Sequence, residues 1–256
     1  MRACLIGQAS VKFEVDEKVI LFDPWFETKG LLCKLFAKRI VPLAIKPKEI
    51  KRCHYIISTH NHIDHFDNFS IEIARRLGSI VVGSKKVAAR AKKAGLKEVY
   101  EVSRGDSVKL KGITVNAIFA EHPLAKDAVS YVVKTSDGKY IYFSGDTRFK
   151  NELVEDLKKY KIDIAMLQVS CADLLITGGE DGMNIKTALE LAKRIKPKKV
   201  IPIHYHLRGK LIDPDEKVII KEDVGVIYRA LEKFKSNLLE EKISTVILEP
   251  GVETEV

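Results

Sequence analysis

The hydrophobic positions of this chain recur with two different periods. In some segments they alternate with polar residues, as at 11–15, and in others they run on without interruption, as at 19–22. Uninterrupted apolar runs are typical of strands that are covered on both faces. The pattern predicts strands at 5–6, 11–15, 18–22, 55–59, 79–82, 98–102, 107–110, 113–120, 130–134, 139–144, 162–169, 199–203 and 243–248.

Helical spacing of apolar residues appears between these strands. It predicts helices at 68–77, 85–94, 152–158, 185–195 and 222–235. Strands outnumber helices, helices recur in both halves, and no linker or low-complexity segment divides the chain. We therefore expect a layered α/β protein with sheet packed on sheet and helices outside. The pattern indicates one domain over 1–256, with a basic amphipathic insertion at about 29–52.

The composition restricts the class of protein. With 256 residues, 46% of them hydrophobic, the chain can build a full core, which excludes a disordered or fibrous protein. No apolar run approaches the ~20 residues of a membrane-spanning helix, and acidic residues interrupt 1–19 before a signal peptide could form. Cys4, Cys33, Cys53 and Cys171 form no CxxC pair, so we expect reduced thiols and a cytoplasmic location.

The net charge of the chain indicates which kinds of partner its surface attracts. Lys and Arg number 44 against 35 Asp and Glu, a formal net charge of +9. A basic surface attracts anions, such as a small phosphorylated metabolite, anionic lipid or nucleic acid. A lysine-rich surface kept for solubility or thermostability is the interpretation we favour. A small anionic substrate is expected, and a nucleic acid is the less favoured partner.

The placement of the histidines carries the chemical information. Four of the seven, at 54, 60, 62 and 65, fall within twelve residues, and the others lie far apart. Polar side chains also stand at or just beyond the carboxyl ends of predicted strands: Asp23, His60, His122, Asp146 and His204. That edge is where ligand-binding groups gather in sheet proteins.

Residues 59–65, with the sequence THNHIDH, concentrate potential metal ligands. Imidazole nitrogen and carboxylate oxygen suit zinc, manganese or iron. His60 and His62 can converge on one ion, while Asp64 and His65 point to a neighbouring position. Two such sites that share a bridging group would form a dinuclear centre with metals ~3.5–4 Å apart. A satisfied core or surface histidine is the ordinary alternative, but three histidines and an aspartate within six residues fit it poorly.

These motifs resemble the metal-ligand set of the metallo-β-lactamase superfamily. The resemblance comprises His60-x-His62-x-Asp64-His65, the isolated His122, Asp146 in SGDT, His204 in PIHY and Asp23 in LFDPW. It extends over nearly the whole chain, to the closing strand near 248. It implies a four-layered αββα sandwich.

The resemblance also implies roles for these residues. One metal would be held by His60, His62 and His122, and a second by Asp64, His65 and His204, with Asp146 bridging. Asp23 would accept an imidazole N–H and fix that ligand's tautomer. The implied cofactor is two divalent ions, with zinc favoured over manganese or iron.

Two cations would lower the pKa of a shared water from 15.7 towards ~7, which provides a nucleophile at neutral pH. Asp64 and Asp146 are therefore predicted catalytic residues, and Asp64 could alternatively orient the nucleophile in a one-metal enzyme. His206 is a third candidate, as a proton donor to the leaving group or a substrate contact. A solvent-facing loop histidine is the alternative for His206.

The segments LFDPW, GDSVKLKGITV, SGDT and ALELAKRIKPKKVIPIHY resemble the superfamily branch that contains ascorbate-6-phosphate lactonase. N-acyl-phosphatidylethanolamine phospholipase D is a more distant relative of that branch. The resemblance predicts a hydrolase of a small anionic ester, lactone or phosphodiester. The alternatives are a metal-dependent nuclease or RNA-processing phosphodiesterase, and a non-hydrolytic metal-binding or redox protein.

Three features are left with two interpretations each. His54 is a structural or ligand-supporting residue. Arg148 binds an anionic substrate or, as we favour, forms a surface salt bridge. The apolar face of 31–45 forms a lid or lipid contact, or it packs on the protein's own body or on a second subunit, as in a homo-oligomer.

Overall fold

The computed structural model describes residues 1–27, 38–170, 179–207 and 224–256, together with the backbone of 173–174, 209–212 and 218–221. These residues form two seven-stranded sheets and two short hairpins. The strands are β1 (Arg2–Gly7), β2 (Ser10–Val15), β3 (Lys18–Phe22), β4 (Tyr55–Ser58), β5 (Ile80–Gly83), β6 (Val99–Glu101), β7 (Ser107–Leu110), β8 (Ile113–Ile118), β9 (Ser130–Thr135), β10 (Tyr140–Phe143), β11 (Ile164–Gln168), β12 (Asp173–Leu174), β13 (Gly179–Glu180), β14 (Lys199–Ile203), β15 (Gly209–Ile212), β16 (Val218–Lys221), β17 (Ser244–Thr245) and β18 (Thr254–Glu255).

Helices begin and end at recognisable caps. They are α1 (Asn68–Leu77), α2 (Lys85–Lys93), α3 (Asn151–Leu157), α4 (Ile185–Ile195) and α5 (Val224–Glu240), with a 3-10 turn at Pro47–Glu49. The Asp67 carboxylate accepts the Ser70 N–H at the start of α1, and Gly78 ends that helix in the left-handed conformation. Asn184 caps α4 through the Thr187 N–H.

Strand direction brings the ends of several strands to one edge. The first sheet has the order β18-β1-β2-β3-β4-β5-β6 and the second the order β17-β14-β11-β10-β9-β8-β7. Strands β3 to β6 run parallel in the first sheet, and β10, β11, β14 and β17 run parallel in the second. The carboxyl ends of parallel strands meet at the same edge. Side chains that follow β3, β4, β10 and β14 can therefore meet there.

The inner faces of the two sheets share one apolar core. Phe22 of the first sheet stacks on Phe143 of the second with ring centroids 4.8 Å apart. A second buried cluster lies on the outer side of the first sheet, where Ile71 and Ala74 of α1 and Val87 of α2 join Ile56 of β4. Burial of such side chains stabilises the fold by roughly 1.5–3 kcal/mol each.

The predicted fold class is confirmed, because the two mixed sheets and outer helices form the α/β sandwich. Several elements agree at both ends with the prediction, namely β3, β7, β14, α1 and α4. The final helix extends beyond the predicted 235 to Glu240, and residue 222 lies outside the described residues.

The C-terminal strand prediction at 243–248 is wrong in its length. Only Ser244 and Thr245 pair with β14, after which the chain turns towards the other sheet. Pro250 bridges to Leu5, and β18 then pairs with β1. The apolar run at 243–248 thus marks burial at the edge of the sandwich rather than one continuous strand.

The predicted insertion is described only in part. Its residues 29–37 lie outside the described residues, and the remainder up to 52 contains the 3-10 turn at Pro47–Glu49. None of the helices in the described ranges is long and apolar enough to cross a membrane. Cys4 and Cys53 are buried free thiols, whereas Cys33 and Cys171 lie outside the described residues.

Candidate metal centre

The residues predicted as ligands converge at the strand edge. Among the described residues, three groups of three have ligand atoms within 4.8 Å of one another: one joins Asp23 to His60 and His65, and the other two correspond to the predicted metal sites. We call these two the three-histidine cluster (His60, His62 and His122) and the carboxylate cluster (Asp64, His65 and His204). His65 also adjoins the three-histidine cluster, because its ring centroid lies 4.1 Å from that of His60.

In the three-histidine cluster the imidazoles stand edge to face. Nε2 of His122 lies 3.2 Å from Nδ1 of His62. Two nitrogens bound to one tetrahedral zinc at ~2.0–2.1 Å are roughly 3.3–3.4 Å apart. The separation is therefore the one expected of two ligands of a single ion.

Asp146 lies within the carboxylate cluster, with one oxygen towards each histidine. Its Oδ2 is 3.3 Å from Nε2 of His65, and its Oδ1 is 3.2 Å from Nε2 of His204. Oδ2 of Asp64 is 3.6 Å and 3.7 Å from the same two nitrogens. These are again distances between ligands of a common ion.

Hydrogen bonds on the far side of the rings set the tautomers. The Ser170 and Asp181 carbonyls can only accept, so Nδ1–H of His204 donates to the former at 2.8 Å and Nδ1–H of His122 to the latter at 2.9 Å. Asp23 Oδ2 accepts Nδ1–H of His65 at 2.7 Å. In all three rings the lone pair is consequently on Nε2, which faces the centre.

The same reasoning applies to His60. The Thr59 hydroxyl donates to Asp23 at 2.7 Å, so its oxygen accepts Nδ1–H of His60 at 3.0 Å. Asp23 also accepts the Thr59 N–H at 2.7 Å. Asp23 holds this network from a backbone φ of +40°, in the left-handed region that few non-glycine residues occupy. Such backbone strain is typical of functional sites.

The two clusters differ in electrostatics. Burial lowers the pKa of His60, His62 and His122, and neighbouring imidazoles lower it further. Burial also acts to lower the pKa of His65 and His204, but nearby carboxylates led by Asp146 outweigh it. The carboxylates favour positive charge on these rings, so the pKa of His65 lies well above its ordinary value and that of His204 rises to about 9. A metal ion bound at Nε2 would displace that proton and satisfy the same carboxylates.

The surroundings of the buried imidazole nitrogens show whether these residues suit a metal. Nε2 of His60, His65 and His204 is buried and has no hydrogen-bond partner of good geometry within the described part of the chain. Buried polar atoms are nearly always satisfied in folded proteins. Imidazole and carboxylate donors of this kind suit zinc, manganese or iron. The residues therefore fit a divalent transition metal.

A comparison with known families agrees with this geometry. Residues 18–205 match the family model described as the beta-lactamase superfamily domain. The chain belongs to the beta-lactamase superfamily. A UPF0173 metal-dependent hydrolase of Thermococcus kodakarensis is 30% identical over 261 residues, which cover 98% of this chain and 97% of the relative.

Solved structures of two hydrolases share the fold. A metallo hydrolase of Ignicoccus hospitalis aligns with a TM-score of 0.68 at 22% identity, over 100% of this chain and 98% of that one. An isothiocyanate hydrolase from Delia radicum gut bacteria aligns with a TM-score of 0.76 at 19% identity, over 100% and 99%. At these identities the likeness shows the fold alone.

The sequence left the roles of three further residues of this superfamily member undecided. His206 is buried, so the solvent-facing alternative is wrong; its Nδ1 accepts the Gln8 N–H at 3.4 Å. His54 stands at the opposite end of β4 from His60, where its Nδ1 accepts the Val19 N–H at 3.0 Å. That contact makes His54 structural.

Arg148 forms the ion pair that the sequence analysis favoured, 3.4 Å from the Glu121 carboxylate. The 179–183 loop, which Arg148 contacts through the Glu180 carbonyl, also carries Gly182. Gly182 lies against Gln168 so closely that a Cβ there would meet the amide oxygen at 2.3 Å. A side chain at 182 would displace that amide from its bonds to the Thr147 and Met183 N–H groups.

Sequence reasoning missed the contacts that hold the loops of the candidate site. The Gln8 carbonyl accepts the His204 N–H and its side-chain oxygen accepts the His206 N–H, both at 2.9 Å. Gln168 Oε1 accepts the N–H groups of Thr147 and Met183, both at 3.1 Å. The Gly7-Gln8 turn after a strand was the one available signal for Gln8.

Proposed function

We propose that this chain is a metal-dependent hydrolase whose site holds two divalent ions, with zinc the expected metal. His60, His62 and His122 would hold one ion, and Asp64, His65 and His204 the other. Asp146 would hold the second ion, because it lies 3.2–3.3 Å from Nε2 of His65 and His204. We propose that it also contacts the first ion, since its charge acts on His60, His62 and His122 as well.

One observation carries the proposal: the Nδ1–H groups of four imidazoles donate to acceptors that lie on the side of each ring away from the centre. The acceptors are the Thr59 hydroxyl, the Asp23 carboxylate and the carbonyls of Asp181 and Ser170. All four Nε2 lone pairs are thereby directed to one place. A cluster of buried lone pairs and carboxylates is costly unless a cation compensates it.

Bound at this centre, divalent ions supply Lewis acidity and lower the pKa of coordinated water from 15.7 to ~7. The protein's own contribution is orientation and exclusion of solvent, since His60, His65 and Asp23 are fully buried. Asp64 is half-buried, so its carboxylate can also hold a water for attack. The contacts of His206 with Gln8 favour a supporting role for His206 over proton donation.

The substrate we propose is a small anionic ester, lactone or phosphodiester. The net charge of +9 favours an anion. The lactone class follows from the resemblance of LFDPW, SGDT and the PIHY segment to the ascorbate-6-phosphate lactonase branch. Carbonyl and phosphoryl centres are both open to attack by a metal-activated water.

Metal analysis of the full chain purified without chelator, followed by a hydrolysis screen, tests the proposal. We expect two zinc ions per chain in wild type and turnover of a phosphodiester, lactone or thioester that chelation abolishes. His62→Ala should remove an ion and reduce turnover by at least ~100-fold, since loss of a ligand costs several kcal/mol. His54→Ala is the matched control, because His54 is a histidine bonded only to scaffold backbone among its described hydrogen bonds.

Activity that survives in the metal-free protein would refute the proposal. Equal losses of metal in His62→Ala and His54→Ala would show that metal binding is not located in these clusters.

A further inference from the structure

We propose that Arg148 is a positioning residue for His122. Arg148 holds the loop that carries the Asp181 carbonyl, and that carbonyl fixes the Nδ1 proton of His122. The inference rests on the proposed function, since it takes His122 as a metal ligand.

Two consecutive carbonyls connect the guanidinium to the imidazole. Nε of Arg148 donates to the Glu180 carbonyl at 2.6 Å. The next carbonyl along the chain, that of Asp181, accepts Nδ1–H of His122 at 2.9 Å. The two peptide planes share the Cα of Asp181, so displacement of the Glu180 carbonyl also moves the Asp181 carbonyl unless the Asp181 φ and ψ compensate.

The backbone of Arg148 ties it to the segment before His122. The Arg148 N–H donates to the Glu121 carbonyl at 2.8 Å, and the Glu121 N–H donates to the Thr147 hydroxyl at 2.9 Å. Residues adjacent to His122 and residues adjacent to Asp146 are thus hydrogen-bonded to each other. The Arg148 side chain extends from this junction to a third segment, where it contacts the Glu180 carbonyl.

The other end of the 179–183 loop is held separately. Gln168 Oε1 accepts the Met183 N–H at 3.1 Å, and Gly182 packs directly on the Gln168 amide. Asn184 donates to the Glu180 carboxylate at 2.7 Å. Loss of Arg148 should therefore shift the Glu180 and Asp181 carbonyls without releasing the whole loop.

The guanidinium is also a poor receptor for a substrate anion. Its Nη1 lies 3.4 Å from the Glu121 carboxylate, and Lys150 approaches the same carboxylate at 3.3 Å. The Glu121 carboxylate, which Arg148 shares with Lys150, offsets part of the Arg148 charge. Its inner nitrogen already donates to a carbonyl, in the fork geometry that lysine lacks.

The test measures zinc binding to the full chain by competition with a chromogenic chelator, and the Nδ1–H signal of His122 by NMR of zinc-loaded, histidine-labelled protein. In Arg148→Ala we expect about tenfold weaker zinc binding, in the range seen when the groups that orient a ligand are removed. The His122 Nδ1–H signal should exchange faster than in wild type, with the other ligand histidines unchanged. Arg148→Lys should show the same changes to a smaller extent.

Glu121→Gln is the matched control, because it removes the ion pair and leaves the bond from Nε to the Glu180 carbonyl. We expect its zinc affinity to stay within about twofold of wild type and its His122 signal to be unchanged. If Arg148→Ala fails to fold, Arg148→Lys decides the question by the same signal.

Wild-type zinc affinity together with a wild-type His122 signal in Arg148→Ala would overturn the inference. A raised KM for an anionic substrate with normal zinc binding would also overturn it, in favour of direct substrate contact. Failure of the wild-type chain to bind zinc would instead overturn the proposed function.

Discussion

The three-histidine cluster and the carboxylate cluster are supported in different ways. His60 and His122 donate to neutral acceptors, the Thr59 hydroxyl and the Asp181 carbonyl. His65 donates to the buried carboxylate of Asp23, in a network anchored at the ends of β3 and β4. An ionised acceptor forms hydrogen bonds roughly twice as strong as neutral ones. We infer that His65 is fixed by the ends of the sheet strands, whereas His122, like His204 with the Ser170 carbonyl, depends on loop packing.

The largest effect should come from Asp23→Asn. Asp23 accepts three hydrogen bonds, from the Thr59 N–H, the Thr59 hydroxyl and His65. The NH2 group of an asparagine must face either the Thr59 N–H or the Thr59 hydroxyl and His65 Nδ1–H, which are all donors. His65 therefore loses the bond that orients it. We expect about 10–100-fold weaker zinc binding, measured by titration, with the carboxylate cluster affected first.

Asp137→Asn is the control for that experiment, because Asp137 is an exposed carboxylate paired with Lys139. Unchanged zinc affinity in Asp23→Asn would contradict the idea that this carboxylate orients His65.

A smaller effect is expected for Thr59→Val, which keeps the shape of the side chain and removes its hydroxyl. Nδ1–H of His60 then loses its acceptor, while Asp23 keeps its bond to His65. We expect about tenfold weaker zinc binding, confined to the three-histidine cluster and detected by NMR of the labelled histidines. Thr245→Val serves as the control, since no hydrogen-bond partner of that buried hydroxyl lies among the described residues. Equal disturbance of both clusters by Thr59→Val would remove the distinction between them.

The smallest effect concerns the scaffold beneath the three-histidine cluster. Partial burial raises the pKa of Asp156, but hydrogen bonds from Arg104, Lys159 and the Phe119 N–H lower it to about 2. A pKa below the unfolded value of ~3.9 adds stability that is present above that value and is lost as the pH falls towards 2. Asp156→Asn should therefore lower the free energy of unfolding at pH 7 by about 1–2 kcal/mol.

The difference between Asp156→Asn and wild type should shrink between pH 4 and pH 2 in denaturant titrations. Zinc content should stay at the wild-type level, because Asp156 touches neither cluster among its described contacts. Glu155→Gln, an exposed neighbour, should change stability by less than about 0.5 kcal/mol. A pH-independent difference would contradict the linkage.

The convergence of the candidate site residues could be predicted from sequence because they follow strands and carry side chains of distinctive chemistry. Asp23 and His204 both stand directly beyond predicted strands, and the structure brings them to one edge. The supports could not be found in this way. The Asp181 and Ser170 carbonyls are backbone atoms with no sequence signature, and Gln8 acts across the two sheets.

The wrong length predicted for the C-terminal strand at 243–248 also arises from contacts that have no local sequence signature. The apolar pattern at 243–248 predicts burial correctly, since Ile243 and Leu248 are buried. It cannot show that the chain crosses from β14 of one sheet to β1 of the other, because that path depends on where the two sheets meet. The two residues of β18 are too few to produce a period.

The most direct measurement is anomalous diffraction from a crystal of the full chain grown with zinc, recorded on both sides of the zinc edge. The account predicts two peaks per chain. One should lie about 2.0–2.2 Å from nitrogens of His60, His62 and His122, and the other at similar distances from Asp64, His65 and His204. Absence of both peaks, or peaks confined to other parts of the surface, would contradict it.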